Sequence, residues 1–199
     1  MHIREFAKSQ PNKPAVIMAS TGETISYKEL DERSNQVAQY FRECGLKVGD
    51  HIAFMLENNN RFHELCWGAQ RAGLYYTALS SRLSAEEASY IINDCGAELF
   101  ITSLFKSEVA AQIINEIPNV KTALMMGGTI SGYQSYEEAI SPLPKKALSD
   151  ECEGADMLYS SGTTGRPKGI KPVEVGIPIG SEDNLYNILQ KLYSFDSSV

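Results

Sequence analysis

The chain has 199 residues, 43% hydrophobic and 22% charged, with 25 acidic against 18 basic side chains for a formal net charge of −7. That length and apolar content suffice for a real core, and the acidic balance argues against nucleic acid as a partner, because phosphate-backbone binding needs a basic patch. Cys44, Cys66, Cys95 and Cys152 lie far apart without C-x-x-C spacing, and no 18-residue apolar run or signal-peptide pattern occurs, so the expectation is no disulfide scaffold, no metal site, no transmembrane segment and a cytoplasmic location.

Ala15 to Met18 reads as a strand turning at Gly22. Ser26 and Glu29 then form a capping box for a helix whose Leu30, Ser34, Val37, Ala38 and Phe41 keep helical spacing, and Gly45 stops it. His51 to Leu56 is the next strand, succeeded by a helix with the stripe Phe62, Leu65, Cys66 and Ala69, ending at Gly73. Tyr75 to Leu79 is a strand, and Ser84 with Glu87 makes a second capping box before the stripe Ala88, Ile91, Ile92 and Cys95. Leu99 to Ile101 returns as a strand, Val109, Ile113 and Ile117 mark a further helix, and Ala123 to Met126 a further strand. Strands and helices taking turns at this spacing predict an α/β fold, a layered, largely parallel sheet flanked by helices. From Gly127 to Gly154 the pattern weakens, with one short helix expected around Tyr136 to Ile140. His2, His51 and His63 share no ligand spacing and read as structural.

The run Met157-Leu158-Tyr159 is short and apolar and reads as a buried strand, which would place the next residues at the carboxyl end of a strand, where open α/β sheets bind ligands. Those residues are Ser160-Ser161-Gly162-Thr163-Thr164-Gly165-Arg166-Pro167-Lys168-Gly169. The glycines of this loop let successive amide N–H groups turn inward around an anion, its four hydroxyls add donors, and Lys168 brings a mobile charge with three more. The candidate phosphate-binding residues are therefore Ser160, Ser161, Gly162, Thr163, Thr164, Gly165, Lys168 and Gly169, with Tyr159 assigned to strand-end packing and Arg166 open between phosphate contact and a solvated charge. The loop does not fit the G-x-x-x-x-G-K-[ST] pattern. The competing reading is a Ser/Thr/Gly surface loop without a ligand. Beyond it, Leu185, Ile188, Leu189 and Leu192 form an apolar stripe on a helix introduced by Ser181.

The stretch Tyr159 to Gly169 resembles the signature phosphate loop of the adenylate-forming (AMP-binding) superfamily. Two weaker matches stand upstream in the right order: Ile25 to Leu30 resembles the family's S-Y-x-E-L element, and Gln70 to Leu79 its A-G-x-x-Y-x-P-L segment. Arg82 to Ala97 further resembles the fatty acyl-CoA synthetase branch. The chain departs from the family at Thr77, where a proline is common, and at Ile170 and Lys171, where a threonine and a histidine usually stand.

The resemblance implies the N-terminal part of an acyl-CoA synthetase, an ATP-dependent ligase that activates a carboxylate, in this branch a fatty acid, as acyl-AMP and passes it to coenzyme A. ATP, coenzyme A and Mg2+ are the cofactors it implies. The family's adenine and ribose contacts, its magnesium glutamate and its catalytic lysine belong to later segments, so no catalytic residue and no metal ligand is expected here, and the chain alone is expected to be inactive. The organisation expected is an α/β subdomain over 1–126, a connecting segment over 127–154, and over 155–199 the strand, phosphate loop and C-terminal helix of an incomplete ATP-binding region. The helix stripe then needs covering, by a complementary C-terminal portion or by self-association. A standalone nucleotide-binding module without ligase activity, and a structural remnant with a vestigial loop, are the competing readings.

Overall fold

A computed structural model describes residues 2–160, 166–172, 174–181 and 192–193. Five of the candidate loop residues, Ser161, Gly162, Thr163, Thr164 and Gly165, lie outside the described residues, as do Leu185, Ile188 and Leu189 of the expected C-terminal helix.

The chain begins with helix α1 (Ile3–Ser9) and the antiparallel pair β1 (Pro14–Ile17) and β2 (Thr24–Ser26). Helix α2 (Tyr27–Glu43) starts where Ser26 and Glu29 predict it: the Ser26 hydroxyl accepts from the Glu29 amide at 3.2 Å, and the Glu29 carboxylate accepts from the Ser26 amide at 2.9 Å. Next come β3 (His51–Met55), α3 (Phe62–Arg71), β4 (Tyr75–Leu79), α4 (Ala85–Asp94), β5 (Leu99–Ser103), α5 (Ser107–Ile113) and β6 (Thr122–Met126). Ser84 and Glu87 close the second capping box on α4 in the same way. The segment after β6 supplies β7 (Gln134–Ser135) and α6 (Tyr136–Ile140), and the described elements end with β8 (Ala155–Asp156), β9 (Leu158–Ser160) and β10 (Lys168–Ile170).

Six strands form one parallel sheet in the order β7-β6-β5-β3-β4-β8. Both faces are covered, so the central strands bury side chains on alternate sides. Ile52, Phe54, Leu99, Ile101 and Leu124 pack with α2, α3 and α6. Ala53, Met55, Phe100, Ala123 and Met125 pack with α4 and α5. Helices α2 and α3 approach so closely that a Cβ on Gly68 would stand 2.4 Å from Val37 Cγ1, which is why that helix-interior position carries no side chain.

A buried charge ties α1, α2 and α3 together. The Arg71 side chain, at the end of α3, is fully buried and hydrogen-bonds Asp31 and Asn35 of α2, with Glu151 3.5 Å away; Arg4 of α1 pairs with the same Glu151. A guanidinium out of water is tolerable only with such partners.

Two sequence expectations are corrected here. The stripe Val109, Ile113, Ile117 predicts one helix, but α5 ends at Ile113 and Ile117 is buried from the turn beyond it, just before Pro118. The second concerns Met157 to Tyr159. Only Met157 is buried; the parallel sheet takes Ala155 and Asp156 as β8, and the chain then leaves it so that Leu158 is 58% exposed. The apolar run marks an arm projecting from the sheet edge, not a core strand.

Candidate phosphate-binding site

The arm is an antiparallel hairpin. Strand β9 pairs with β10 in a register that sets Ser160 opposite Lys168, Tyr159 opposite Gly169 and Leu158 opposite Ile170. Because side chains alternate, Leu158, Ser160, Lys168 and Ile170 share the outward face, while Tyr159 and Gly169 share the face turned to the body. Ser160 and Lys168 are both exposed, and among the described residues Lys168 makes no ion pair. The hairpin thus holds one hydroxyl and one ammonium side by side at the two ends of the hydroxyl-and-glycine loop.

The inward face explains Gly169. A Cβ there would come within 2.4 Å of Met157 Cε and 3.0 Å of the Tyr159 ring, so the glycine makes room for the ring that anchors the arm. The Tyr159 hydroxyl donates to Asp94 Oδ2 at 2.6 Å, and burial, together with that bond, pushes the phenol well above its ordinary range. Tyr90 of the same helix α4 donates to the Pro167 carbonyl at 3.3 Å and lies under the Arg166 guanidinium, 5.3 Å from the ring centroid. Arg166, open between two roles in the sequence, here stacks on an aromatic face while staying exposed.

At the base of the arm, Thr77 is buried and its hydroxyl donates to the Met157 carbonyl at 3.1 Å, while the Met157 amide donates to the Tyr76 carbonyl at 2.8 Å. Threonine at the position where the family usually carries proline therefore fastens the arm to β4. Past the arm, Lys171 sits 4.2 Å from the Tyr75 ring centroid and the Tyr75 hydroxyl donates to the Pro172 carbonyl at 2.9 Å. Tyr90 and Asp94 fall within the Arg82 to Ala97 match and Thr77 at a departure from the family, but their support of the arm is not recognisable in the sequence because their partners are 65 to 80 residues away.

With this geometry in place, the comparisons with known proteins fall on the same region. The family model described as AMP-binding enzyme matches residues 3–171, through the end of the hairpin, and the chain belongs to that family. Among its relatives is the long-chain-fatty-acid–CoA ligase FadD13 of Mycobacterium tuberculosis, 27% identical over 174 residues, covering 84% of this chain and 33% of that protein. Another is the fatty acid–[acyl-carrier-protein] ligase ScoC of Streptomyces coeruleorubidus, 28% identical, covering 82% of this chain and 30% of that one. The chain thus spans about a third of the length of these curated relatives. In fold it is similar to a Mycobacterium tuberculosis fatty acyl CoA synthetase, with a TM-score of 0.72 at 22% identity over 87% of this chain and 34% of that one. It is also similar to the anthranilate CoA ligase AuaEII in complex with anthranoyl-AMP, with a TM-score of 0.73 at 22% identity over 84% of this chain and 32% of that one. The expected parallel sheet flanked by helices is therefore the fold of the N-terminal part of these synthetases. Among the described residues, no helix is long and apolar enough to cross a membrane.

Proposed function

We propose that this chain is the N-terminal part of an ATP-dependent, AMP-forming acid–thiol ligase, and that its share of the chemistry is to hold the ATP tail in the hairpin loop. The donors are the hydroxyls of Ser160, Ser161, Thr163 and Thr164, the amides around Gly162, Gly165 and Gly169, and the Lys168 ammonium. Residues 155–199 would form the beginning of the ATP-binding region, docked on the α/β subdomain of 1–126 through the segment 127–154.

The reaction class is a carboxylate oxygen attacking the α-phosphorus of ATP, with the bond to the bridging oxygen breaking and pyrophosphate leaving with its electron pair. A thiol, in the acyl-CoA branch that of coenzyme A, then attacks the acyl carbon and AMP departs. Negative charge grows on the pyrophosphate during the first step, and donors fixed around it stabilise the transition state more than the bound ATP. Magnesium would accompany the triphosphate and offset its charge; among the described residues no group of three His, Cys, Asp or Glu is placed to hold it, so no residue here is assigned to it.

The observation that supports this most is the register of the hairpin, which stands Ser160 and Lys168 together, exposed, at the mouth of the loop. The test is ATP–pyrophosphate exchange with a panel of carboxylates, run on the chain alone and on the chain joined to the remaining two-thirds of an acyl-CoA ligase relative. Exchange in the joined form with fatty acids, and none in the chain alone, is the expected result. Nucleotide binding without exchange in either form would replace the ligase with a simple binding module, and no binding in either would reduce the loop to a remnant.

A further inference from the structure

Helix α4 grips the hairpin arm on both sides of residues 161–165. Tyr159 precedes them and its hydroxyl donates to Asp94; Pro167 follows them and its carbonyl accepts from Tyr90. Tyr90 and Asp94 stand four residues apart on α4, and side chains at that spacing share one face of a helix. A single helix face therefore sets the position of both flanks, and with them of the Arg166 backbone.

Arg166 is unlike most of the other arginines. Of the seven in the chain, Arg4, Arg33, Arg42, Arg61 and Arg71 each have a carboxylate within 4.0 Å, whereas Arg82 and Arg166 have none among the described residues. Of those two only Arg166 is held in place, its guanidinium carbon lying 5.3 Å from the centroid of the Tyr90 ring. The carboxylates of α4 do not neutralise it. Glu87 caps Ser84, Asp94 accepts from Tyr159, and Glu86 makes no ion pair among the described residues. Stacking on a ring occupies the flat face of a guanidinium and leaves the N–H groups along its edges free, and the Arg166 side chain is exposed. The ring also orders the side chain in advance, so less freedom is lost when an anion arrives.

We propose that Arg166 is a second phosphate-binding cation beside Lys168, that its ligand is the terminal part of a polyphosphate, and that Tyr90 is the positioning residue that presents it. This inference rests on the ATP grip proposed above and adds a residue to it. In the hairpin register Lys168 stands opposite Ser160, and Arg166 comes two residues nearer the loop. A guanidinium fork matches two oxygens of one phosphate, while Lys168 acts as a point charge. Two cations on separate residues favour a ligand with several anionic groups over one with a single phosphate.

The experiment is a titration of the ¹⁵N-labelled chain with inorganic tripolyphosphate, followed at the Lys168 and Gly169 amides, with the amides of β3 and β5 reporting that each variant is folded. Arg166→Ala should weaken binding about tenfold or more, since it removes charge-assisted bonds. Arg166→Lys, which keeps the charge but not the fork, should recover only part of that loss. Tyr90→Leu should weaken binding severalfold, with no further effect once Arg166 is already alanine, and Tyr90→Phe, which keeps the ring, should recover most of it. Lys146→Ala removes an equal charge from the connecting segment and should leave binding unchanged. Absence of saturable shifts in the unaltered chain, or an affinity unchanged in Lys168→Ala, overturns the ATP grip and this inference with it. Binding weakened by Lys168→Ala but not by Arg166→Ala leaves the grip standing and overturns the role of Arg166, as does an equal weakening by Lys146→Ala.

Discussion

Strand β5 has all five residues buried, whereas strand β10 has all three exposed. The first lies between two helical layers in the middle of a sheet; the second is half of a hairpin held by two tyrosines, one threonine and an arginine stacked on a ring. The difference separates the residues buried for stability from the exposed residues to which the ATP grip is proposed to belong. The body derives its stability from two-sided burial, and the described part of the arm keeps the Ser160 hydroxyl and the Lys168 ammonium exposed to water. The separation can be broken or sharpened by substitutions placed on one side or the other.

The largest effect is expected in the body. Arg71→Met removes the buried counter-charge of Asp31, leaves Glu151 with Arg4 alone, and should cost about 3–5 kcal/mol in urea denaturation, while nucleotide handling per folded molecule in the joined enzyme stays the same. Gly68→Ala forces a Cβ onto Val37 between α2 and α3 and should cost about 1–3 kcal/mol by the same measurement. In the arm, Tyr159→Phe removes the bond to Asp94 while keeping the ring over Gly169. It should destabilise by about 1 kcal/mol or less, seen as faster amide exchange in β9 and β10 with β3 and β5 unaffected.

The smallest expected effect is a pH dependence centred on the body. His51, stacked on Tyr75, has its pKa lowered from 6.5 to about 4, first by burial and then by Lys171. The unfolded chain therefore takes up the proton first, so the His51 contribution is intact above about pH 6.5 and is lost as pH falls towards 4. His51→Phe should make the stability profile less steep over that window, with His2, whose pKa burial lowers to about 3, keeping its own share of the slope. An unchanged profile would contradict the half-buried, proton-excluding setting of the His51 ring.

Much of the body is legible in the sequence because its signals are local. Ser26 and Glu29, Ser84 and Glu87, and the stripes of α2, α3 and α4 fix helices within a few residues of themselves. The arm is misleading for the complementary reason. Met157, Leu158 and Tyr159 are equally apolar, but which of them is buried depends on the sheet releasing the chain after Asp156 and on β10 arriving as the partner. Arg71 and Glu64 are invisible as buried charges because on a helix they look like solvated ones, and their partners Asp31, Glu151 and Tyr136 come from segments 40 to 80 residues away.

The proposed ATP grip rests most directly on Lys168. In the joined enzyme, Lys168→Ala is expected to lower the rate of ATP–pyrophosphate exchange by about tenfold or more, with a change in unfolding free energy within about 0.5 kcal/mol. An unchanged exchange rate accompanied by a clear loss of stability would contradict it, because Lys168 would then belong to the scaffold and not to the ATP tail.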